Sequence, residues 1–168
     1  MRQHNQNHPA LRALDPLVGV WRQWALVDEA PEGRLGPIRV TYAWTPDGGF
    51  LVRHAELPPG LDLPGAWREH HPFPTVAYIG YDDADERFTM LYADGRGVSR
   101  VYRLTLADGE LWFGRPAPGF HQRVRARFDA SGDRLTGVCE KSVDGHVRER
   151  DFGMEYERVG HAVADARP

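Results

Sequence analysis

Short segments that alternate apolar and polar residues run through most of this chain, and nearly every gap between them carries a tight-turn signal. Asp47-Gly48, Asp82 to Asp85, Asp94-Gly95-Arg96-Gly97, Asp108-Gly109, Ser131-Gly132 and Asp144-Gly145 supply the punctuation. Asp-Gly accepts the positive φ angles that a two-residue hairpin demands, and period-two alternation marks a strand with one buried face. The pattern places strands near 17–27, 37–45, 49–57, 74–82, 87–93, 97–106, 110–115, 119–128, 134–142 and 146–158. Because the links are short, neighbours in sequence should be neighbours in the sheet. The expected fold is therefore all-β, an antiparallel up-and-down barrel of about ten strands, since closing such a meander leaves no bare edge.

One link is long. Residues 58–73 form a Pro-rich connection containing Trp67, His70 and His71, the kind of loop that serves as a lid or binding segment. Pro9 to Leu14 should form a short helix that ends before Pro16 and plugs one end of the barrel. Residues 1–8 read as a disordered N-terminus, 9–159 as a single β-barrel domain and 160–168 as a flexible tail.

Composition narrows the chemistry. Five Trp, seven Phe and six Tyr suit strands and the walls of an apolar pocket. A net charge of −3 offers no general attraction to nucleic acid or to an anionic membrane. Lys141 is the only lysine, so Schiff-base chemistry would have to use it. Cys139 is the only cysteine, which rules out an internal disulfide and points to a reducing compartment. With a polar N-terminus and no apolar run of membrane-spanning length, the expectation is a soluble cytoplasmic protein.

Tight turns fix register, and register decides which side chains share a face. Across Asp144-Gly145, residue 137 should oppose residue 152. Pairing Phe128 with Leu135 keeps Phe128, Leu135 and Met154 together, with Ala126, Gly137 and Phe152 alongside. The other face then gathers Arg123, Glu140 and Glu149, beside Arg125 and Asp151, an arrangement of opposite charges that offsets the basic stripe His121, Arg123, Arg125, Arg127. That argues against nucleic-acid binding. The inner face continues as Val124, Cys139 and Arg150, then Gln122, Lys141 and Arg148. Arg100 should oppose Met90, Tyr102 should oppose Phe88, and Leu104 and Tyr102 should meet Phe113 and Arg115. Arg100, Arg115, Arg148 and Arg150 would then share one face, either at a rim in water or facing an anion, because an unpaired guanidinium is costly to bury.

Other residues carry candidate chemistry. Trp21 and Arg158 should stack where first and last strands meet. His54 alternates with Phe50 and Val52, so it should point inward as a core residue, a haem ligand or an acid–base group. His70 and His71 are adjacent and aim apart, and no Cys/His spacing supplies a metal site. The Asp82, Asp83, Asp85, Glu86 cluster reads as a turn, without the glycine and distal glutamate of a calcium loop. Gly97-Val98-Ser99-Arg100-Val101 lacks the second glycine of a nucleophile elbow. Cys139 reads as a buried thiol, with Arg150 near enough to lower its pKa.

Gly19-Val20-Trp21 at the head of the first strand and Arg158 at the tail of the last are how a calycin-type barrel begins and ends. Leu17 to Trp21, Phe88 to Tyr92, Arg96 to Tyr102, Pro118 to Arg123, Glu140-Lys141-Ser142, Asp144-Gly145, Asp151-Phe152 and Tyr156 extend the likeness over Leu14 to Val159. On these residues the chain resembles a bacterial family of lipocalin-like barrels, distantly similar to nitrobindin and the fatty-acid-binding proteins. The resemblance implies a barrel with a small-molecule cavity. Nitrobindin-like relatives hold haem through a histidine near the C-terminus, but His146 and His161 match no such motif here.

The leading expectation is a protein that binds a small hydrophobic or aromatic molecule inside the barrel, an acidic one if the arginines meet an anion. The candidate binding residues are His54, Met90, Arg100, Tyr102, Arg115, Gln122, Arg148, Arg150, Phe152 and Met154. No catalytic residue, metal or cofactor is assigned, haem being the cofactor alternative. An isomerase, cyclase or decarboxylase using Tyr102, Arg100 and His54 is the enzymatic one. No nucleic-acid or membrane partner is expected, and the oligomer is a monomer or homodimer.

Overall fold

A leucine every third residue opens the molecule. Leu11, Leu14 and Leu17 fall on one side of a 3-10 helix spanning Pro9–Leu17, and all three are buried. Three residues per turn puts that spacing on a single stripe, which supports a helix longer than this type usually reaches. The helix runs through Pro16, where the sequence had it stopping, and Val18 N closes it on Asp15 O at 3.0 Å. The computed structural model describes residues 7–161; the expectations for residues 1–6 and 162–168 lie outside the described residues. Asn7 and His8 are described, with Asn7 Nδ2 donating to Asp47 O and His8 stacked on Tyr81.

Ten antiparallel strands follow: β1 Gly19–Leu26, β2 Arg34–Trp44, β3 Leu51–Glu56, β4 Thr75–Asp82, β5 Arg87–Asp94, β6 Ser99–Ala107, β7 Glu110–Arg115, β8 His121–Phe128, β9 Arg134–Ser142 and β10 Glu149–Gly160. Each pairs with its sequence neighbour, and β1 pairs with β10 to close the barrel. At Asp108-Gly109 both residues have positive φ (52° and 75°), the geometry whose twist matches the strands it joins. Long-range consequences follow from such local turns: a closed barrel with no free edge.

The seam is fastened by Arg158. Its guanidinium lies 4.0 Å over the Trp21 ring, as the sequence pairing anticipated. It also donates to the carbonyls of Val18, Pro16 and Gly132 and to Asp133 Oδ1, the last at 2.9 Å. Trp21 Nε1 donates to Leu17 O at 2.8 Å, so the helix, first strand and last strand are tied together. Gly19 is glycine because a Cβ there would meet Arg158 Nη1 at 2.8 Å, on a backbone with φ of 143°.

Strand direction assigns the two ends of the barrel. The N-terminal helix fills the end where β1 begins and β10 finishes, its leucines joining Trp21, Tyr42, Leu51, Phe88 and Leu104 in the main core. At the other end the 58–73 connection carries a short helix, α1, Gly65–His70. There Leu63 is buried with Ala25, Val27, Ala30 and Leu35, and Trp67 packs edge-on against Phe152 with centroids 6.4 Å apart.

Register is as expected from β6 to β9 and differs on either side. Phe128 pairs with Leu135, Ala126 with Gly137, Val124 with Cys139 and Leu104 with Phe113. Met90 pairs with Tyr102 and Tyr92 with Arg100, two residues from the expected pairing. Gly137 pairs with Met154 rather than Phe152, and a bulge between Arg150 and Phe152 shifts the start of β10. Bulges change which side chains face inward, and this one acts on the site described next.

Candidate functional site

Between the plug and the 58–73 segment lies a cavity of about 520 Å³. That volume falls in the range of small-molecule sites. Ile38, Ala77, Ile79, Leu104, Phe113 and Val124 form much of its wall, with Tyr42, Tyr92, Tyr102 and Tyr156 among the aromatic rings. Ala66, Trp67, His70, Pro72 and Phe73 cover it from the 58–73 segment. That cover is pinned at the β5–β6 turn, where Gly95 N donates to Pro72 O at 2.9 Å.

Of the residues singled out from sequence, Met90, Arg100, Tyr102, Gln122, Phe152 and Met154 line this cavity together. Four others are not in its wall. Arg115 pairs with Gln122 on the same face nearer the mouth, half-buried, its Nε without a protein partner. Arg148 sits half-buried in the turn before β10, because the strand begins at Glu149. Arg150 is exposed and reaches outward to Leu26 O at 3.4 Å, since the bulge reverses its side. His54 is exposed on the outer surface: Leu51, Arg53 and Ala55 are the inward set of β3, not Phe50, Val52 and His54.

The correction at β3 brings in the residue that sequence reasoning missed. Arg53 lines the cavity, its Nη1 donating to Thr75 Oγ1 at 2.9 Å and its Nη2 to Gln23 Oε1 at 3.0 Å. Its guanidinium stands 5.9 Å from the Tyr42 ring centroid. Burial pushes the Tyr42 phenol up to about 12 although Arg53 pulls the other way, so the hydroxyl stays protonated beside the cation. Across the cavity, Arg100 Nη1 donates to Gln122 Oε1 at 2.9 Å, and the Tyr102 hydroxyl donates to the same oxygen at 2.7 Å. Burial likewise raises the Tyr102 pKa against the pull of Arg100 and Arg115.

The cavity's charges do not balance. Its wall includes Arg53, Arg96, Arg100, Arg123 and Asp151. Arg96 is held by Asp94 at 2.7 Å and Arg123 by Glu140 at 2.7 Å, while Asp151 is held by Lys141 at 3.3 Å. Among the described residues, Arg53 and Arg100 have no carboxylate within salt-bridge reach. Asp94 itself is buried, which opposes its ionisation, but bonds from Arg96 and the Tyr92 hydroxyl outweigh that and hold it at about 2.

The remaining features have simpler accounts. Arg125 and Arg127 approach Glu140 and Glu110, while Glu149 and Asp151 serve Lys141 rather than the basic stripe. Cys139 faces the interior, and burial, with Asp151 and Glu140 nearby, pushes its thiol up to about 12, opposite to the lowering expected from Arg150. Among the described residues no three His, Cys, Asp or Glu side chains converge on a metal position. Of the histidines that bear on haem, His54, His146 and His161 are exposed outside the cavity wall, and His70, on the covering segment, lines the cavity while keeping most of its imidazole in water.

No family model matches the chain, and no curated protein matches it. Among solved structures it is similar to the crystal structure of Rv2717c from M. tuberculosis, at a TM-score of 0.53 and 16% identity, over 92% of this chain and 99% of that one. A likeness at that identity is one of fold alone.

Proposed function

We propose that the protein binds a small, mostly apolar molecule carrying an acidic group, enclosed by the barrel and covered by the 58–73 segment. The observation that carries this reading is Arg53, a cation in a largely apolar hollow whose acceptors among the described residues are neutral oxygens. An uncompensated guanidinium is costly there, and a carboxylate or similar anion would relieve the cost with charge-assisted bonds. The apolar wall and aromatic rings would hold the rest of the ligand. The enzymatic alternative draws on Tyr102, Arg100 and His54; Tyr102 and Arg100 line the cavity, whereas His54 lies on the outer surface.

Two naphthalene dyes of similar body test this. Anilinonaphthalene sulfonate is anionic, and N-phenyl-1-naphthylamine is its neutral counterpart. Arg53→Met should weaken the anionic dye about tenfold, the loss of one charge-assisted contact, while leaving the neutral dye nearly unchanged. Equal losses for both dyes would sink the proposal.

A further inference from the structure

The two uncompensated arginines are each joined to a glutamine in the same way. Gln23 Oε1 accepts from Arg53, and Gln122 Oε1 accepts from Arg100 and from Tyr102. With the carboxamide oxygen engaged by a donor, each glutamine, both of which line the cavity, keeps its amide NH2 as a donor to spare. A guanidinium beside an amide NH2 is a surface of donors without acceptors, suited to an oxyanion.

These two surfaces stand apart on the ring: Arg100 on β6 is three strands from Arg53, and Gln23 on β1 is three strands from Gln122. Arg53 lies on β3 and Gln122 on β8, which are five strands apart in either direction round the closed ring. Arg100 reaches Gln122 from β6, over β7. Arg115, which pairs with Gln122 and whose Nε is buried without a partner, reinforces that pole. In the cross-strand row that joins Arg53 to Arg100 stand Ala77 and Tyr92, the Tyr92 hydroxyl being taken by Asp94, and the neighbouring wall is apolar, with Ile79, Met90, Leu104 and Phe113. Asp151, the carboxylate in the cavity wall, is already held by Lys141, and Asp94 and Glu140 are held by the lining Arg96 and Arg123.

We propose that the ligand has two oxyanionic ends joined by an apolar body, a dicarboxylic acid in class, lying across the barrel from Arg53 and Gln23 to Arg100 and Gln122. This rests on the reading that the cavity takes an acidic apolar molecule, and goes beyond it in the number and placement of acidic groups. A ligand with one acidic end would leave the other half-buried arginine without an anion, at a cost the second carboxylate removes.

Isothermal titration of the whole chain tests it, using α,ω-alkanedioic acids from hexanedioic to tetradecanedioic acid and naphthalene and biphenyl dicarboxylic acids. Each is compared with its half methyl ester and its dimethyl ester. At the length that spans the poles, the diacid should bind one per barrel and about tenfold or more tighter than its half ester. Arg53→Met and Arg100→Met should each bring the diacid down to the half ester's affinity. The comparison of diacid with half ester on the unaltered protein stands even if a variant folds poorly. Half esters binding as tightly as every diacid, or two half esters entering one barrel, would overturn the two-ended ligand while leaving the single-acid reading intact. Diesters binding as tightly as both would overturn the two together.

Discussion

The two ends of the barrel use arginine in opposite ways. At the plugged end, Arg158 covers Trp21 and spends its N–H groups on three backbone carbonyls and Asp133, with only 11% of its side chain in water. At the covered end, Arg53 and Arg100 bond, among the described residues, neutral oxygens of Gln23, Thr75 and Gln122 and face the hollow. The first arrangement is complete in itself, with every bond serving the closure of the sheet. The second stops short of completion, and what it lacks is negative charge. Residue type alone therefore says little about role; the partner inventory of each guanidinium separates a structural arginine from one proposed for recognition.

The largest expected effect breaks that comparison directly, by making the same substitution at both ends. Arg158→Met leaves the carbonyls of Pro16, Val18 and Gly132 without their donor and should cost about 3 kcal/mol of stability. Arg53→Met removes a cation that no protein anion compensates, and Gln23 and Thr75 remain beside the cavity, so stability should change by less than about 1 kcal/mol or rise. Denaturant midpoints of the two variants check this. Similar losses at both sites would mean that Arg53, too, is a structural fastening.

A smaller effect sharpens what holds the cover in place. Arg96 and Asp94 form a pair in the turn that pins Pro72, with Arg96 Nη1 also reaching His70 O at 3.5 Å. Asp94 titrates at about 2 against an ordinary value of 3.8, so its contribution is present above pH 4 and is lost as pH falls through 2. The linkage amounts to no more than about 2 kcal/mol. Melting curves of the unaltered protein should fall across that window, and Asp94→Asn should remove this part of the fall and hasten release of a bound dye. A variant with the same acid slope and the same release rate would place the anchor of the cover elsewhere.

The plugged end was the more legible of the two in sequence, for a physical reason. Gly19, Trp21 and Arg158 interact through one strand pair, and the Asp-Gly hairpins set most strand limits locally. The covered end depends on strand phase, which a single residue reverses. In β3, apolar Phe50 and Val52 drew the inward face to His54, because alternation rewards apolar residues on the inside. The molecule instead places Phe50 on the outside over Gly80, edge-on to Tyr78, and turns Arg53 in. A charged residue inside is the case where hydropathy misleads, and it occurs here at the proposed binding site. Leu51 and Ala55 alternating about Arg53 were the available signal.

Arg150 offers the smallest expected effect and the most selective check on the division between the ends. Extrapolating the Asp144-Gly145 turn put it inside with Arg100; the bulge before Phe152 puts it outside, near Leu26 and Gly153. Its long-range attraction for a bound anion is weak through water and salt, whereas Arg53 and Arg100 act inside the cavity. Arg150→Ala should therefore shift stability by no more than about 0.5 kcal/mol and leave the affinity for anilinonaphthalene sulfonate unchanged, as titration would show. If that variant weakened the anionic dye as much as Arg53→Met does, the recognition surface would extend round the strand, and partner inventory would no longer tell one kind of arginine from the other.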